Sequence, residues 1–364
     1  MKVRVPGKVI LFGEHSVVYG KKAIAASIDE LAVTAEIKSS TNEKISSIAL
    51  ENFGASYEIA NSQLLDKMPS DISLVDCHPQ NHILESIYEY ATETNIIASV
   101  PLICILYIYI FMVVETKKFI PFDLIVSSTI PMGAGLGSSA SFSVAIASIF
   151  IKYFMNPEID RHQDLTDRWA FTLEKIIHGN PSGVDNKIVH YGGLLSYVKQ
   201  RSEVSFQPPE WFHSLKFVLV DTMIPRDTKK MVNNVSIKFQ RRPKLLGDSF
   251  KKMDEISNKF EQFLKIFKCE KMAFSAISNL FSKNQHHLKV LGVSHPVIEK
   301  VITISKKHGH QAKLTGGGGG GFLVVLINPN VDEKDEVYFY KELTLNGFKY
   351  YNVKLGGKGL QFEE

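Results

Sequence analysis

Short apolar runs rich in β-branched residues, broken by Gly7, Gly13 and Gly20, open the chain and predict strands in VRVPGKVILFGEHSV and AIAASIDELAVTAEIKSS. Residues 39–82 are polar and irregular. From residue 82, HILESIYEYATETN places Ile83, Ile87 and Tyr90 at helical spacing. FDLIVSSTIP, residues 122–131, reads as a strand. The glycine-rich GAGLGSS at 133–139 follows it and opens an apolar, small-residue helix, ASFSVAIASIFIKYF. Within 165–179, Leu165, Trp169, Leu173 and Ile176 share one helical face, and Gly179 sits where a helix ends in a left-handed residue. Asn180 and Pro181 suit the cap and first turn of a second helix, NPSGVDNKIVHYG. The pattern breaks at Gln207-Pro208-Pro209, which sets a domain boundary, residues 1–210 against 211–364. SLKFVLVDTMIP then starts a new strand-like run, helices fill 228–310, and AKLTGGGGGGFLVVLI reads as a glycine loop feeding a strand.

One apolar stretch, IIASVPLICILYIYIFMVV at 96–114, carries no charge over nineteen residues, close to the ~20 that a membrane-spanning helix needs. Pro101 interrupts it, no second such segment exists, and Ser99, Tyr107 and Tyr109 carry polar atoms. These features suit a helix buried on all sides within a larger core.

With 364 residues, 45% hydrophobic and 22% charged, the composition is that of an ordinary folded protein with room for two domains. The net charge is +4, but Lys and Arg are scattered, with only pairs such as Lys117-Lys118 and Lys229-Lys230, which argues against a nucleic-acid footprint. Cys77, Cys104 and Cys269 lie far apart, so neither a disulfide framework nor a CxxC metal site is expected, and a reducing, cytoplasmic compartment fits. MKVRVPGKVILFGEH has no secretory h-region, and GLQFEE has no anchor or address signal.

The candidate chemistry centres on phosphate. GAGLGSS between a strand and a helix can close backbone N–H groups on an anion while the helix N-terminus adds positive potential. It is neither a P-loop nor a dinucleotide fingerprint, since no GK[ST] follows and Ser138 stands where GxGxxG needs its third glycine. Gly316 to Gly321 is a second glycine run whose length argues for close backbone approach. Phosphoryl transfer to an alcohol needs a divalent cation, a cationic side chain and a proton acceptor. Ser139 and Glu174 are oxygen ligands of the kind Mg²⁺ takes. Asp185 follows Glu174 across a tight helix–turn–helix, and Lys8, Glu14 and His15 flank the first strand. Taken singly, each has a plainer reading: a packing turn, a flexible loop, a solvated helix acid, a strand-edge charge.

Together, PGKVILFGEHSVVYG at 6–20, IPMGAGLGSSAS at 130–141, EKIIHGNPSGVDN at 174–186 and KLTGGGGGGF at 313–322 resemble the GHMP kinases, the superfamily of galactose, homoserine, mevalonate and phosphomevalonate kinases. The likeness is closest to its mevalonate-phosphorylating family and spans nearly the whole chain. It implies an α/β (α+β) fold of two lobes with the active site in the cleft between them. The N-terminal α/β lobe would hold a left-handed βαβ-type unit, and the C-terminal α+β lobe would be ferredoxin-like. The implied activity is ATP-dependent phosphorylation of the C5 hydroxyl of mevalonate, an early step of isoprenoid precursor synthesis.

By position, Asp185 resembles the catalytic base and Lys8 the lysine that lowers the hydroxyl pKa and stabilises the transferring phosphate. Gly133, Ala134, Gly135, Leu136, Gly137, Ser138 and Ser139 look like the ATP phosphate loop, with Lys8, Ser128 and Asn52 as further ATP contacts. Ser139 and Glu174 match the Mg²⁺ ligands. Glu14, His15, Arg226 and Thr228 match positions around the substrate carboxylate and hydroxyls. The resemblance further implies a homodimer inhibited by prenyl diphosphates that compete with ATP, and a buried helix at 96–114. Gly317 departs from it, standing where the family commonly has alanine, and residues 41–80 fit poorly. GEHSVVYG speaks against a galactokinase or a phosphomevalonate kinase. An inactive sensor would have lost one of Lys8, Ser139, Glu174 and Asp185, and all four are present.

Overall fold

The computed structural model describes residues 1–68, 78–156, 158–179, 181–199 and 202–363. Alternation in the opening strand sets the first sheet. β1 (Lys2–Phe12) buries Val3, Val5, Val9 and Leu11 and pairs antiparallel with the long β2 (Ala23–Ser39). The pairing slips where Pro6 faces Ala32 but Gly7 faces Ile28, which leaves residues 29–31 without partners on β1. Such a bulge re-aims the side chains beyond it, and the next residue is Lys8.

The described residues between 39 and 68 are more regular than their polarity suggests. They form β3 (Ile45–Leu50), β4 (Ala55–Ala60) and α1 (Asn61–Asp66). In β3 the inward positions are Ser46, Ile48 and Leu50, and the buried Ser46 hydroxyl accepts from Phe122 N at 3.1 Å. A serine turned inward hides the two-residue period from a hydrophobicity reading.

After α2 (Asn81–Glu93) comes α3 (Val100–Thr116), the apolar run. It starts at Ser99, whose hydroxyl accepts from Leu102 N, with Pro101 in the first turn, where its missing N–H costs nothing. Every residue from Leu102 to Met112 is buried, and no described helix is long and apolar enough to cross a membrane. β5 (Phe122–Ser128) runs antiparallel to β2 and parallel to β3, so α1, α2 and α3 form a crossover. α4 (Ser138–Phe154) lies on β1 and β2, and α3 and α5 (Ile159–His178) cover its outer side. Trp169 of α5 closes the layer against Phe111, with ring centroids 4.9 Å apart.

α6 (Val184–Tyr191) begins later than the motif suggests. Pro181 precedes the helix, and Gly183 at φ 79° is its N-cap, a conformation that cannot continue a helix backwards; Asn180 lies outside the described residues. β6 (Leu194–Val198) and β7 (Ser202–Phe206) extend the first sheet from the early part of β2, and the short α7 (Glu210–His213) follows.

The second sheet has the order β11-β8-β10-β9 and is antiparallel throughout. β8 (Phe217–Asp221) leads into α8 (Thr228–Arg241), α9 (Pro243–Ile266), α10 (Glu270–Leu291) and α11 (Pro296–Lys307). Then come β9 (Gln311–Leu314), β10 (Phe322–Leu326), α12 (Glu333–Leu345) and β11 (Lys349–Val353). Counted within the lobe the strands stand 4-1-3-2, the split βαβ arrangement of a ferredoxin-like fold. Phe217 and Leu219 face the core shared with the first lobe, while Val218 and Val220 face α9, α10 and α11. Burial on both faces explains why FVLVD and FLVVL are continuously apolar. The last strand, β12 (Gln361–Glu363), returns to pair with β1. Cys104 and Cys269 are free, and Cys77 lies outside the described residues.

Replacing Trp169 by alanine should lower unfolding free energy by about 3–5 kcal/mol through lost contact with α3, read as a fall in the urea midpoint.

Candidate active site

The loop between β5 and α4 is shaped by three alternate glycines, Gly133, Gly135 and Gly137, at φ 69°, 70° and 83°. The intervening Ala134 and Leu136 are buried and anchor it. Space as well as φ demands glycine here. A Cβ on Gly137 would lie 2.8 Å from Lys8 Cγ, and one on Gly135 would overlap the Arg226 guanidinium. Lys8 N donates to Leu136 O at 2.8 Å, and Arg226 Nε donates to Gly133 O at 2.9 Å. Both lobes thus grip the loop, and Gly137 caps α4, whose first amides face the opening with Ser138 and Ser139.

Lys8 and Asp185 meet at this loop. Lys8 Nζ lies 3.0 Å from Asp185 Oδ2 and 3.4 Å from Gly135 O. The lysine side chain is 7% exposed and the aspartate 45%, so the ammonium is held in the protein while the carboxylate reaches the cavity. Glu174, near the end of α5, is 4% exposed, and its Oε1 has no partner among the described residues. Burial pushes its pKa up to about 7, with Asp185 adding to the rise and Ser139 and Lys8 opposing it. Ser139 Oγ also lies 3.0 Å from His178 Nε2.

A divalent cation fits this corner. A buried carboxylate oxygen without a hydrogen bond, beside a serine hydroxyl, supplies hard oxygen donors, and no group of three or more His, Cys, Asp or Glu among the described residues would hold a metal unaided. Two protein donors leave positions for phosphate oxygens and water.

On the opposite wall, His15 adopts φ 60°, and its Nε2 lies 2.8 Å from Gly317 O. Since a carbonyl only accepts, Nε2 carries the proton; burial lowers the imidazole pKa. Thr228, the first residue of α8, stands against Gly317, where an added Cβ would come within 2.8 Å of its hydroxyl. The glycine at this departure from the family therefore leaves the threonine room. Lys8, His15, Asp185, Arg226, Thr228 and Gly316 help enclose a cavity of about 440 Å³. An apolar cavity of about 230 Å³ adjoins it and shares Ser138 and Ser139, with Phe53, Met132, Phe142 and Ile177 among its walls. Asn52 and Ser128 sit at its edge, tied by Asn52 Nδ2 to Ser128 O at 2.7 Å and Ser128 N to Asn52 Oδ1 at 2.5 Å.

Glu14 also lines the larger cavity, and both of its carboxylate oxygens are engaged. It is 1% exposed and pairs with the fully buried Lys313, while Asn284 Nδ2 donates to its other oxygen at 2.9 Å. Burial raises the Glu14 pKa and lowers that of Lys313, and each partner opposes the other's shift. Thr315 Oγ1 donates to Ile10 O at 2.9 Å and accepts from Ile10 N at 3.1 Å. With the His15–Gly317 contact, alternate positions 313, 315 and 317 fasten the second lobe to the end of β1. Sequence reasoning assigned no role to Lys313, Asn284 or His178. None had a local signal: β9, QAKL, is half polar, so its lysine did not stand out.

The GHMP kinases N terminal domain model matches residues 106–193 and the GHMP kinases C terminal model residues 268–342. The chain is 31% identical over 378 residues to a mevalonate kinase of Bos taurus, covering 98% of this chain and 93% of the relative. It is 32% identical over 375 residues to that of Schizosaccharomyces pombe, covering 98% and 90%. The solved mevalonate kinase of Methanococcus jannaschii superposes with a TM-score of 0.74 at 26% identity, covering 98% of both chains.

Lys313→Met should destabilise the protein by roughly 3–5 kcal/mol, because it strands the Glu14 carboxylate in a dry interior. Adding Glu14→Leu should restore most of the loss, and a double-mutant cycle by urea unfolding measures it.

Proposed function

The chain belongs to the mevalonate kinase family of the GHMP kinases, and on that footing we propose that it transfers the γ-phosphoryl group of ATP to the C5 hydroxyl of mevalonate at the Lys8–Asp185 pair. The observation that carries this reading is their 3.0 Å contact beside a glycine loop that both lobes grip. The adenine end of ATP occupies the apolar cavity next to Asn52 and Ser128, and the phosphates lie along Gly133 to Ser139 at the head of α4. Asp185 accepts the hydroxyl proton at its exposed oxygens. Lys8 offers a cation to the charge spread over the phosphoryl oxygens. Ser139 and Glu174 would hold Mg²⁺, which would supply positive charge against the phosphates. Arg226, His15 and Thr228 line the remainder of the larger cavity and hold the substrate's carboxylate and tertiary hydroxyl, while Glu14 acts through the lobe contact it makes with Lys313.

The two lobes, residues 1–210 and 211–364, enclose the reaction between them. The widely spaced cysteines support a reducing, cytoplasmic setting. A homodimer and competition between prenyl diphosphates and ATP belong to the reading on the strength of the family alone.

A coupled ADP-release assay with mevalonate, phosphomevalonate, galactose and homoserine should show turnover of mevalonate above the rest; preference for another acceptor sinks the assignment. Asp185→Asn should cut kcat by about 10²-fold or more, and a rate near wild type would remove it from the base role. Glu174→Gln should raise the Mg²⁺ concentration needed for half-maximal rate, read from a metal titration at saturating ATP.

A further inference from the structure

α5 ends on the seam between the two larger cavities. Ile177 lines the apolar one and His178 the other, and Ser139 borders both. Gly179, at φ 78°, stops the helix directly after the imidazole and leaves His178 at its tip. Glu174 lies one turn earlier on the same face, so two polar side chains of α5 converge on a single hydroxyl. His178 Nε2 is 3.0 Å from Ser139 Oγ, and Ser139 also hydrogen-bonds the Glu174 carboxyl. A serine hydroxyl carries one proton and two lone pairs, so it cannot donate to both neighbours at once.

A cation at this corner would remove the conflict. Ser139 and Glu174 would each turn a lone pair toward it, and a hydroxyl that gives a lone pair to a metal must aim its O–H elsewhere. Of its two neighbours, only the imidazole is then left to accept. We propose that His178 is a positioning residue for the cation site: its Nε2 accepts the Ser139 proton and so holds the hydroxyl's lone pairs toward Glu174, with the ring proton on Nδ1. The inference rests on the assignment of Mg²⁺ to Ser139 and Glu174. Without the imidazole the hydroxyl is free to rotate and to spend its proton on the very carboxylate the cation needs. Outer partners that orient a metal ligand in this way are worth about 10–100-fold in metal affinity.

The test measures binding of the non-hydrolysable β,γ-imido analogue of ATP by calorimetry, once in EDTA and once with saturating Mg²⁺. The ratio of the two Kd values gives the metal's contribution. His178→Leu should lower that ratio by about tenfold while leaving the EDTA value unchanged. His178→Gln, whose amide oxygen can accept in the same place, should keep most of it. In a Ser139→Ala background His178→Leu should have no further effect, because the hydroxyl it positions is gone. Kinetics should show the loss in the Mg²⁺ concentration for half-maximal rate, with KM for mevalonate unchanged. An undiminished ratio in His178→Leu overturns the proposal. So does a full effect of His178→Leu in the Ser139→Ala background, or an equal loss in EDTA, which would mean that the imidazole binds the nucleotide itself. If Glu174→Gln and Ser139→Ala both keep the wild-type ratio, the cation assignment fails and this inference with it. Thermal melts verify folding; should His178→Leu melt early, His178→Ala decides.

Discussion

A single buried charge pair, Glu14 with Lys313, fixes how the two lobes meet. Neither ion is tolerable in that interior alone, and each is held by neutral groups as well: Asn284 on the carboxylate and Leu314 O on the ammonium at 2.6 Å. The pair thereby specifies one register between β1 and β9, and the bonds at Thr315 and Gly317 fall into line behind it. The glycine run lies beyond this clasp, where side chains would collide with Thr228, Met231, Ile224 and the Val293 backbone. Its lack of side chains is a consequence of lobes drawn together this closely.

The same closeness governs the reacting groups. Alternation along β1 turns Lys8 away from the core that takes Val9 and Leu11, and Gly137 admits the lysine stem against the loop. Lys8 is thus desolvated on its stem and paired at its tip. Glu174 experiences the opposite balance: buried beside Asp185 with an unengaged oxygen, it holds its proton to near neutral pH. Two carboxylates of one cleft are thus left in different surroundings.

Local chemistry made part of this legible from the chain. The apolar strands FVLVD and FLVVL, the helix under Trp169, the buried run through Tyr107 and Tyr109, and the alternate glycines before Ser138 each carry their signal within a few residues. The hairpin of β3 and β4 escaped because Ser46 turns inward on a hydrogen bond to a strand distant in sequence. The start of α6 was misjudged because Gly183, and not the Asn-Pro pair, takes the cap. Lys313 and Asn284 had no local signature, since a buried lysine is explained only by the acid that reaches it from the far end of the chain.

The all-round burial of α3 also has a cost in time. Its cover on one side, α4 and α5, is encoded after it, ending at His178, 66 residues beyond Met112. At ordinary rates of synthesis that interval lasts roughly 3–13 s. Throughout it the nascent chain displays an uncharged, adhesive segment with nothing yet made to shield that flank. Expression at high ribosome density, where neighbouring chains expose the same segment together, is the condition under which this protein is most prone to aggregate before it is complete.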